Sequence, residues 1–567
     1  MLGRFTDVEA TRGISVAEYL AERLRQHGVA HLFGVPGDFN LALLDGLLGA
    51  QKQEWVGTTN ELNAGYAADA YARRRGLGAV VTTYGVGELS CLNAIAGSYA
   101  EQVPVVQITG APATTAAFAG TLLHHTLADG DLGHFARAYR EVTAATEVLS
   151  HASAATQIDH AIATALATSR PVYLSIPVDV ASAKVDARRL VAPLRPERVD
   201  SAGVAAFTRA AHKLLQSADG QVTVVAGHQV ERRAATGLLR TLIEAGPLPV
   251  VTLISSKGSV DEDHPCFAGV YCGDLGVKSA RVAVEQAAVL ITVGTLMTDV
   301  VAGMFTARRD PAHTIDLQIS EAFVAGERFE GVSLAAAISA LTPLVGEYAT
   351  LPAAGLPATA LLGRLAEDRH PRSAGPLSQV ALWEVIEEWL PAGSTLLSEI
   401  GTAFWGAVSV TFPRDTAFIS QPVWSSIGYT LPATLGAGLA EPLRRPVLVI
   451  GDGAAQMTAQ ELGTIAAQGL CPVVIIVNNN GYTIERAVRS PTAGYHDVTR
   501  WDWGGLARSL APATPPRTFR AANPAELRGA LQAANTTRDR MVVIEAILPS
   551  NDTPPMLRRL AGALPRG

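Results

Sequence analysis

The sequence predicts an α/β protein of three doubly wound domains with parallel sheets. Three observations carry this. Short runs such as Val105–Thr109, Val289–Val293 and Val473–Val477 are largely apolar and β-branched, without strict alternation, as strands buried on both faces are. Stretches of helical periodicity separate them. Polar, glycine-bearing clusters follow several runs directly, where a parallel sheet gathers the carboxyl ends of its strands. At 567 residues and 48% hydrophobic, the chain can fill the cores of three or four ordinary domains.

The first domain is expected over 14–185, after a loose tail at 1–13. Val16, Tyr19, Leu20 and Leu24 mark one face of a helix ending near Gly28. HLFGVPGDFN reads as a strand and a Pro-Gly turn carrying Asp38, and Leu41, Leu44 and Leu47 continue as a helix. Trp55-Val56 leads to Thr59–Gly65 and an alanine-rich helix, Ala64–Ala72. Strands follow at Ala79–Thr83, Val105–Thr109 and Val172–Ile176. A Pro- and Arg-rich linker, Ala187–Asp200, closes the domain. A second α/β pattern at 200–350 holds strands Val222–Ala226, Val250–Ile254, Val289–Val293 and Thr314–Leu317. No GxGxxG opens a helix there, so no bound nucleotide is predicted. LPAAGLPATALLGRL marks a second linker near 350–375. The third domain runs over 376–550, with a last strand at Val542–Leu548 and a terminal helix, Pro554–Leu564, in the 551–567 tail.

Composition narrows the function. The net charge of -7 speaks against a nucleic-acid partner. No apolar run reaches membrane-spanning length, and MLGRFTDVEATRG lacks the apolar core of a secretory signal. The four cysteines form no CxxC pair and no zinc spacing, and read as buried thiols of a cytoplasmic protein.

The chemistry centres on Val447–Glu485. Val447–Ile450 stops at Gly451-Asp452-Gly453, and Val473–Val477 stops at Asn478-Asn479. In a βαβ unit both ends lie at the ligand-binding edge of the sheet. A carboxylate plus an amide oxygen suits Mg2+, which completes its octahedron with phosphate oxygens and water. Gly453 lets the backbone approach a phosphate at a helix start. Alone, GDG would be a turn and NNNG a loop; together they read as a Mg2+-diphosphate site.

Four further clusters stand out. Glu61, flanked by Asn60 and Asn63, could cap a helix entry or serve as a buried acid. His124-His125 reads as a pair of surface histidines or of proton carriers near neutral pH. Neighbours on a helix would point apart, so zinc is not expected there. Asp38 could cap its turn. Glu485, on a helix starting near Tyr482, would project back toward Asn479, or be an exposed helix carboxylate.

GVPGDFN, NELNAGYAADAYAR, LLHHTLADGD, QPVWSSIGYTLPA, IGDGAAQMTAQELG and VNNNGYTIERA closely resemble the thiamine-diphosphate (ThDP) 2-oxo-acid decarboxylases that act on pyruvate, indolepyruvate and branched-chain substrates. The resemblance extends over nearly the whole chain. It implies pyrimidine, central and diphosphate domains. Asp452, the Asn479 side chain and the Gly481 carbonyl would hold Mg2+. Glu61 would activate the cofactor at its pyrimidine nitrogen. Ile427 would bend it, and the Ser425 carbonyl would bind its amino group. Thr402, Gly451, Gly453, Ala454, Tyr482 and Ile484 would also lie against it. Asp38, His124, His125 and Glu485 would protonate and orient the ylide- and enamine-derived species as a 2-oxo acid loses CO2 and leaves as an aldehyde. A homodimer or homotetramer is implied, with the active site between subunits.

The chain departs from the family in places. Ser425 replaces the usual Gly. The loop after Glu485 reads Ala487-Val488-Arg489-Ser490. Val300 stands where pyruvate-specific members carry Tyr. With Ile400, Phe404, Ile484 and Val488, this implies an apolar pocket for a substrate larger than pyruvate, such as indolepyruvate, phenylpyruvate or a branched-chain acid. Pyruvate decarboxylation and ThDP-dependent carboligation are the alternatives.

Overall fold

The computed structural model describes residues 13–194, 200–218, 221–246, 248–348 and 375–564. The expected tail (all but Gly13) and nearly all of the expected second linker lie outside these residues. The chain divides into two compact units, Met1–Glu197 with Leu435–Glu441, and Arg198–Thr434 with Pro442–Gly567.

In the first unit, β1 (Ile14–Ser15) pairs antiparallel with β8 (Lys184–Val185). Between them run β2 (His31–Gly34), β3 (Glu54–Gly57), β4 (Gly78–Thr83), β5 (Val105–Ala111), β6 (Thr146–Val148) and β7 (Val172–Pro177). These six form one parallel sheet in the order β3-β2-β4-β5-β7-β6. β4, β5 and β7 are buried along their whole length, which is why they read as unbroken runs. Strand β6, half-exposed at this edge, carried no such signal. Helices Val16–Gln26 and Ala154–Thr168 cover one face and share a buried ion pair, Arg23 Nε to Asp159 Oδ1 at 2.7 Å.

The second unit holds two sheets. Strands β9 (Val222–Ala226), β10 (Val250–Leu253), β11 (Phe267–Tyr271), β12 (Val289–Val293), β13 (Thr314–Leu317), β14 (Glu321–Val324) and β15 (Glu327–Glu330) pair as β11-β10-β9-β12-β13-β14-β15. The four expected strands, β9, β10, β12 and β13, pair in parallel, and an antiparallel meander, β13-β14-β15, extends the sheet at one edge. Its strands are short and its edge strand β15 is mostly exposed and charged, so no buried run announced it.

The other sheet comprises β16 (Thr395–Ser398), β17 (Ala417–Ile419), β18 (Pro446–Gly451), β19 (Val473–Asn478), β20 (Arg517–Ala521) and β21 (Val542–Ile547). It is all parallel, in the order β17-β16-β18-β19-β21-β20. Its first strand lies second from one edge and its last two are exchanged at the other, the same winding as in the first unit. In each sheet the winding reverses beside the first strand, between β2 and β4 and between β16 and β18. Those are the places where a doubly wound sheet opens a crevice for ligands.

Two smaller expectations also change. Part of the first linker is a 3-10 helix, Ala187–Val191, with Ala187 and Leu190 buried. The alanine-rich helix begins three residues earlier than read, at Glu61, and runs to Arg75. Asn60 caps it by accepting from Asn63 N.

Candidate active site

The crevice of the first unit collects Asp38, His124, His125 and Glu61. Asp38 opens a short 3-10 helix, Asp38–Asn40, just after β2. Asn40 ties that turn down by accepting from Gly37 N at 2.9 Å and donating to Val35 O at 3.1 Å. The two histidines lie on a turn, not a helix. His125 has φ of 60°, which reverses the chain locally. Both imidazoles therefore face Asp38: His124 Nε2 is 2.6 Å from Oδ2, and His125 Nδ1 is 3.7 Å from Oδ1. Adjacent histidines would diverge on a helix, as expected; on this turn they converge. Phe39 stacks on His124, with ring centroids 5.1 Å apart. Gly85 sits so close to the His125 carbonyl that a Cβ would meet it at 1.9 Å.

Glu61 is the first residue of its helix and is half-buried. Gly87 leaves space beside it, since a Cβ there would lie 3.0 Å from Glu61 Oε1.

In the second unit Asp452 and Asn479 follow the adjacent strands β18 and β19. Asp452 is 2% exposed and accepts from Gly453 N at 2.9 Å and Gly481 N at 3.1 Å. Burial pushes its carboxyl up to about 6. Gly481 has φ of 128°, and a Cβ there would collide with the His496 carbonyl at 2.0 Å. One end of the Asn479 amide lies 3.2 Å from Asp452 Oδ1 and 2.8 Å from the Gly481 carbonyl, and the other lies 2.9 Å from Thr483 Oγ1. Hydrogen bonding alone favours nitrogen at the first end and oxygen at the second. With oxygen at the first end, Asp452, Asn479 and Gly481 offer three oxygens, a donor set that fits Mg2+.

The remaining site residues divide by burial. Thr402 begins the short helix Thr402–Ala407 and is buried. Phe404, on the same helix, is 0% exposed and stacks on Phe418. Val300, Ile400 and Ile484 are half-buried against the common core. Glu485 and Val488 are exposed on the helix Thr483–Val488. Gly451 caps the helix Asp452–Thr458, and Ala454 is buried within it. Gly453 is held free of a side chain by the Tyr482 ring, 2.6 Å from where its Cβ would be. Ser425 has φ of 59°, a left-handed conformation, and Ile427 lies two residues on.

Two residues that sequence reading passed over organise this site. Arg486 is 5% exposed. It donates to the carbonyls of Asn479, Asn480, His496 and Ser550 and to Asp497 Oδ1. It laces the loop after β19 from behind. Glu399, at the end of β16, is 2% exposed. It accepts from Thr430 Oγ1 at 2.7 Å, Thr430 N at 3.2 Å and Ile400 N at 3.1 Å. Burial pushes it up to about 7. It ties the Ile400 turn to the chain just after Ile427. Arg486 stood inside the quoted VNNNGYTIERA and Glu399 beside Ile400, but only contacts distant in sequence give them a role.

Three family models match in order: the N-terminal ThDP-binding domain of thiamine pyrophosphate enzymes at residues 14–130, their central domain at 208–342 and their C-terminal ThDP-binding domain at 399–546. An alpha-keto-acid decarboxylase of Mycobacterium ulcerans (strain Agy99) is 44% identical over 550 residues, covering 97% of this chain and 96% of that one. The chain belongs to the ThDP-dependent 2-oxo-acid decarboxylase family. Among its relatives, alpha-keto-acid decarboxylases of Mycolicibacterium paratuberculosis (strain ATCC BAA-968 / K-10) and Mycobacterium tuberculosis (strain ATCC 25618 / H37Rv) are each 43% identical, over 557 and 551 residues. They cover 98% and 97% of this decarboxylase-family chain, and 97% of their own lengths. Among the described residues of this family member, no helix is long and apolar enough to cross a membrane.

Proposed function

We propose that this protein converts a 2-oxo acid larger than pyruvate into the corresponding aldehyde and CO2, using ThDP and Mg2+. The observation that carries this reading is the convergence of Asp452, Asn479 and Gly481 at the ends of β18 and β19, a donor set for Mg2+ and a diphosphate. Bound ThDP would supply the carbon nucleophile and the electron sink for decarboxylation. This chain's residues do the rest. Asp452 Oδ1, Asn479 Oδ1 and the Gly481 carbonyl hold the cation. Gly451, Gly453, Ala454, Thr402, Tyr482 and Ile484 seat the cofactor, and Ile427 and the Ser425 carbonyl set its bend. The Glu61 carboxyl holds a proton against the pyrimidine nitrogen. Asp38, His124 and His125 carry a proton to the departing product, and Glu485 orients the substrate carboxylate.

Val300 supports the larger substrate. It is half-buried against the core, and an aromatic side chain at this place would take up room that Val leaves. Ile400, Phe404, Ile484 and Val488 keep the pocket apolar. The working unit is a homodimer or homotetramer in which Glu61 of one copy serves the cofactor seated on the metal loop of another.

The test measures CO2 and aldehyde from pyruvate, 3-methyl-2-oxobutanoate, phenylpyruvate and indolepyruvate with Mg2+ and ThDP present. Equal CO2 and aldehyde, with kcat/KM highest on one of the larger acids, is the expected result. The highest kcat/KM on pyruvate would refute the pocket reading. CO2 without aldehyde would point to carboligation, and no CO2 from any acid would refute the decarboxylase reading.

A further inference from the structure

Asp38, His124 and His125 share a property that proton carriage does not require. One ligand atom from each lies within 4.8 Å of the other two. The imidazole rings are 4.6 Å apart and both face the same carboxylate. The cluster is held in place: Phe39 stacks on one ring and meets the other edge-on, with centroids 6.0 Å apart. The His125 backbone is pinned against Gly85. His125 Nδ1 is shielded from solvent and makes no hydrogen bond. Two imidazoles and a carboxylate, with the remaining positions open to water, are a ligand set of zinc enzymes. Imidazole also selects against Mg2+, so the cluster is chemically distinct from the Asp452 loop.

We propose that Asp38, His124 and His125 form a binding site for Zn2+ and similar borderline divalent metals, and that occupancy silences the enzyme. The ring nitrogens and the carboxylate are in reach of one another, and small side-chain rotations bring them to the ~2.1 Å that Zn2+ requires. Once coordinated, the two ring nitrogens have no lone pair with which to take up a proton, and the charge of the metal holds the carboxylate deprotonated. The inhibitory consequence rests on the function proposed above; the metal site does not.

Co2+ is the probe, because a tetrahedral site gives it visible absorption that an octahedral oxygen site does not. Holoenzyme with ThDP and excess Mg2+ is titrated with Co2+, and then with Zn2+ in competition. Expected are one tetrahedral Co2+ per chain, its displacement by Zn2+, and at least about tenfold weaker binding in His124→Gln, His125→Gln and Asp38→Asn. The His134→Gln variant, which alters the neighbouring His134–Asp129 pair, should leave the spectrum unchanged. CO2 release should fall in step with occupancy and return with Mg2+-saturated EDTA. No tetrahedral spectrum, or one that survives in the double variant His124→Gln/His125→Gln, overturns the site. Full occupancy with undiminished CO2 release overturns its inhibitory role. A wild-type protein that binds Co2+ as described yet releases no CO2 from any acid before metal is added upholds the site and refutes the decarboxylase reading instead.

Discussion

Single residues set both the chemistry and the strain of this protein. Glu61 stands at a helix start, where a carboxylate is already at home, and Gly87 keeps its surroundings open. Replacing it by Gln retains the shape and removes the exchangeable carboxyl proton. Turnover of Glu61→Gln should fall by about 10²–10⁴-fold while ThDP and Mg2+ still bind, as measured by steady-state CO2 release beside a cofactor titration. Ser425 holds φ of 59° without a glycine's freedom. A Gly at this position would avoid a cost of about 1 kcal/mol, and Ser425→Gly should recover up to that amount in a urea melt. Because the backbone carbonyl stays in place, kcat should change little. A loss of stability in that variant would mean that the hydroxyl, 3.5 Å from Pro422 O, holds the turn more firmly than its length suggests.

At the scale of elements, the loop that follows β19 depends on a cation behind it. The chain from Asn478 to Gly481 turns with two consecutive positive φ values, 59° at Asn480 and 128° at Gly481, and so forgoes regular backbone pairing. Arg486 on the following helix satisfies its carbonyls. Arg486→Met keeps the bulk and strips the donors from a buried site. Stability should drop by about 2–4 kcal/mol, and Mg2+ affinity should weaken by at least about tenfold. Thermal melts with and without Mg2+ and ThDP separate the two effects. If the melt falls equally in both conditions, the residue braces the fold and leaves the ligand site alone.

Across the whole molecule, buried carboxyls shape the response to pH, Glu88, Glu399 and Asp452 among them. Burial pushes Glu88, in the first unit, and Glu399, in the second, each up to about 7. Glu88 is held by Tyr173 OH at 2.6 Å and Gly85 N at 2.8 Å, and these bonds offset only part of the cost of burying its charge. A carboxyl raised above its unfolded value binds more protons in the native state than in the unfolded chain. Unfolding free energy therefore falls as pH rises from about 4.5 to about 7 and is flat, for these groups, above that. Each contributes up to about 3 kcal/mol to the total fall across that window. Glu88→Gln should lose its share, so the urea midpoints of variant and wild type should draw apart across that window in the variant's favour at pH 7.5. Parallel midpoints would show that Glu88 gives up its proton in the fold over the same pH range as in the unfolded chain.

The sequence by itself determined the strands that are buried on both faces, because burial leaves an unbroken apolar run. It also determined the polar clusters at their ends: Asp38, Glu61, Asp452 and Asn479 follow strands, and in a parallel sheet that position is already a position at the crevice. Strands at sheet edges, such as β6 and β15, stayed hidden because exposure removes the pattern. The tertiary structure alone decided what depends on backbone sign and distant partners. A positive φ at His125 turns two adjacent histidines toward one carboxylate. Arg486 and Glu399 acquire their roles only where chain segments far apart in sequence bring unsatisfied carbonyls, amides and a hydroxyl to them. Local periodicity records which face of an element is dry; it carries no record of which remote polar group an element must satisfy.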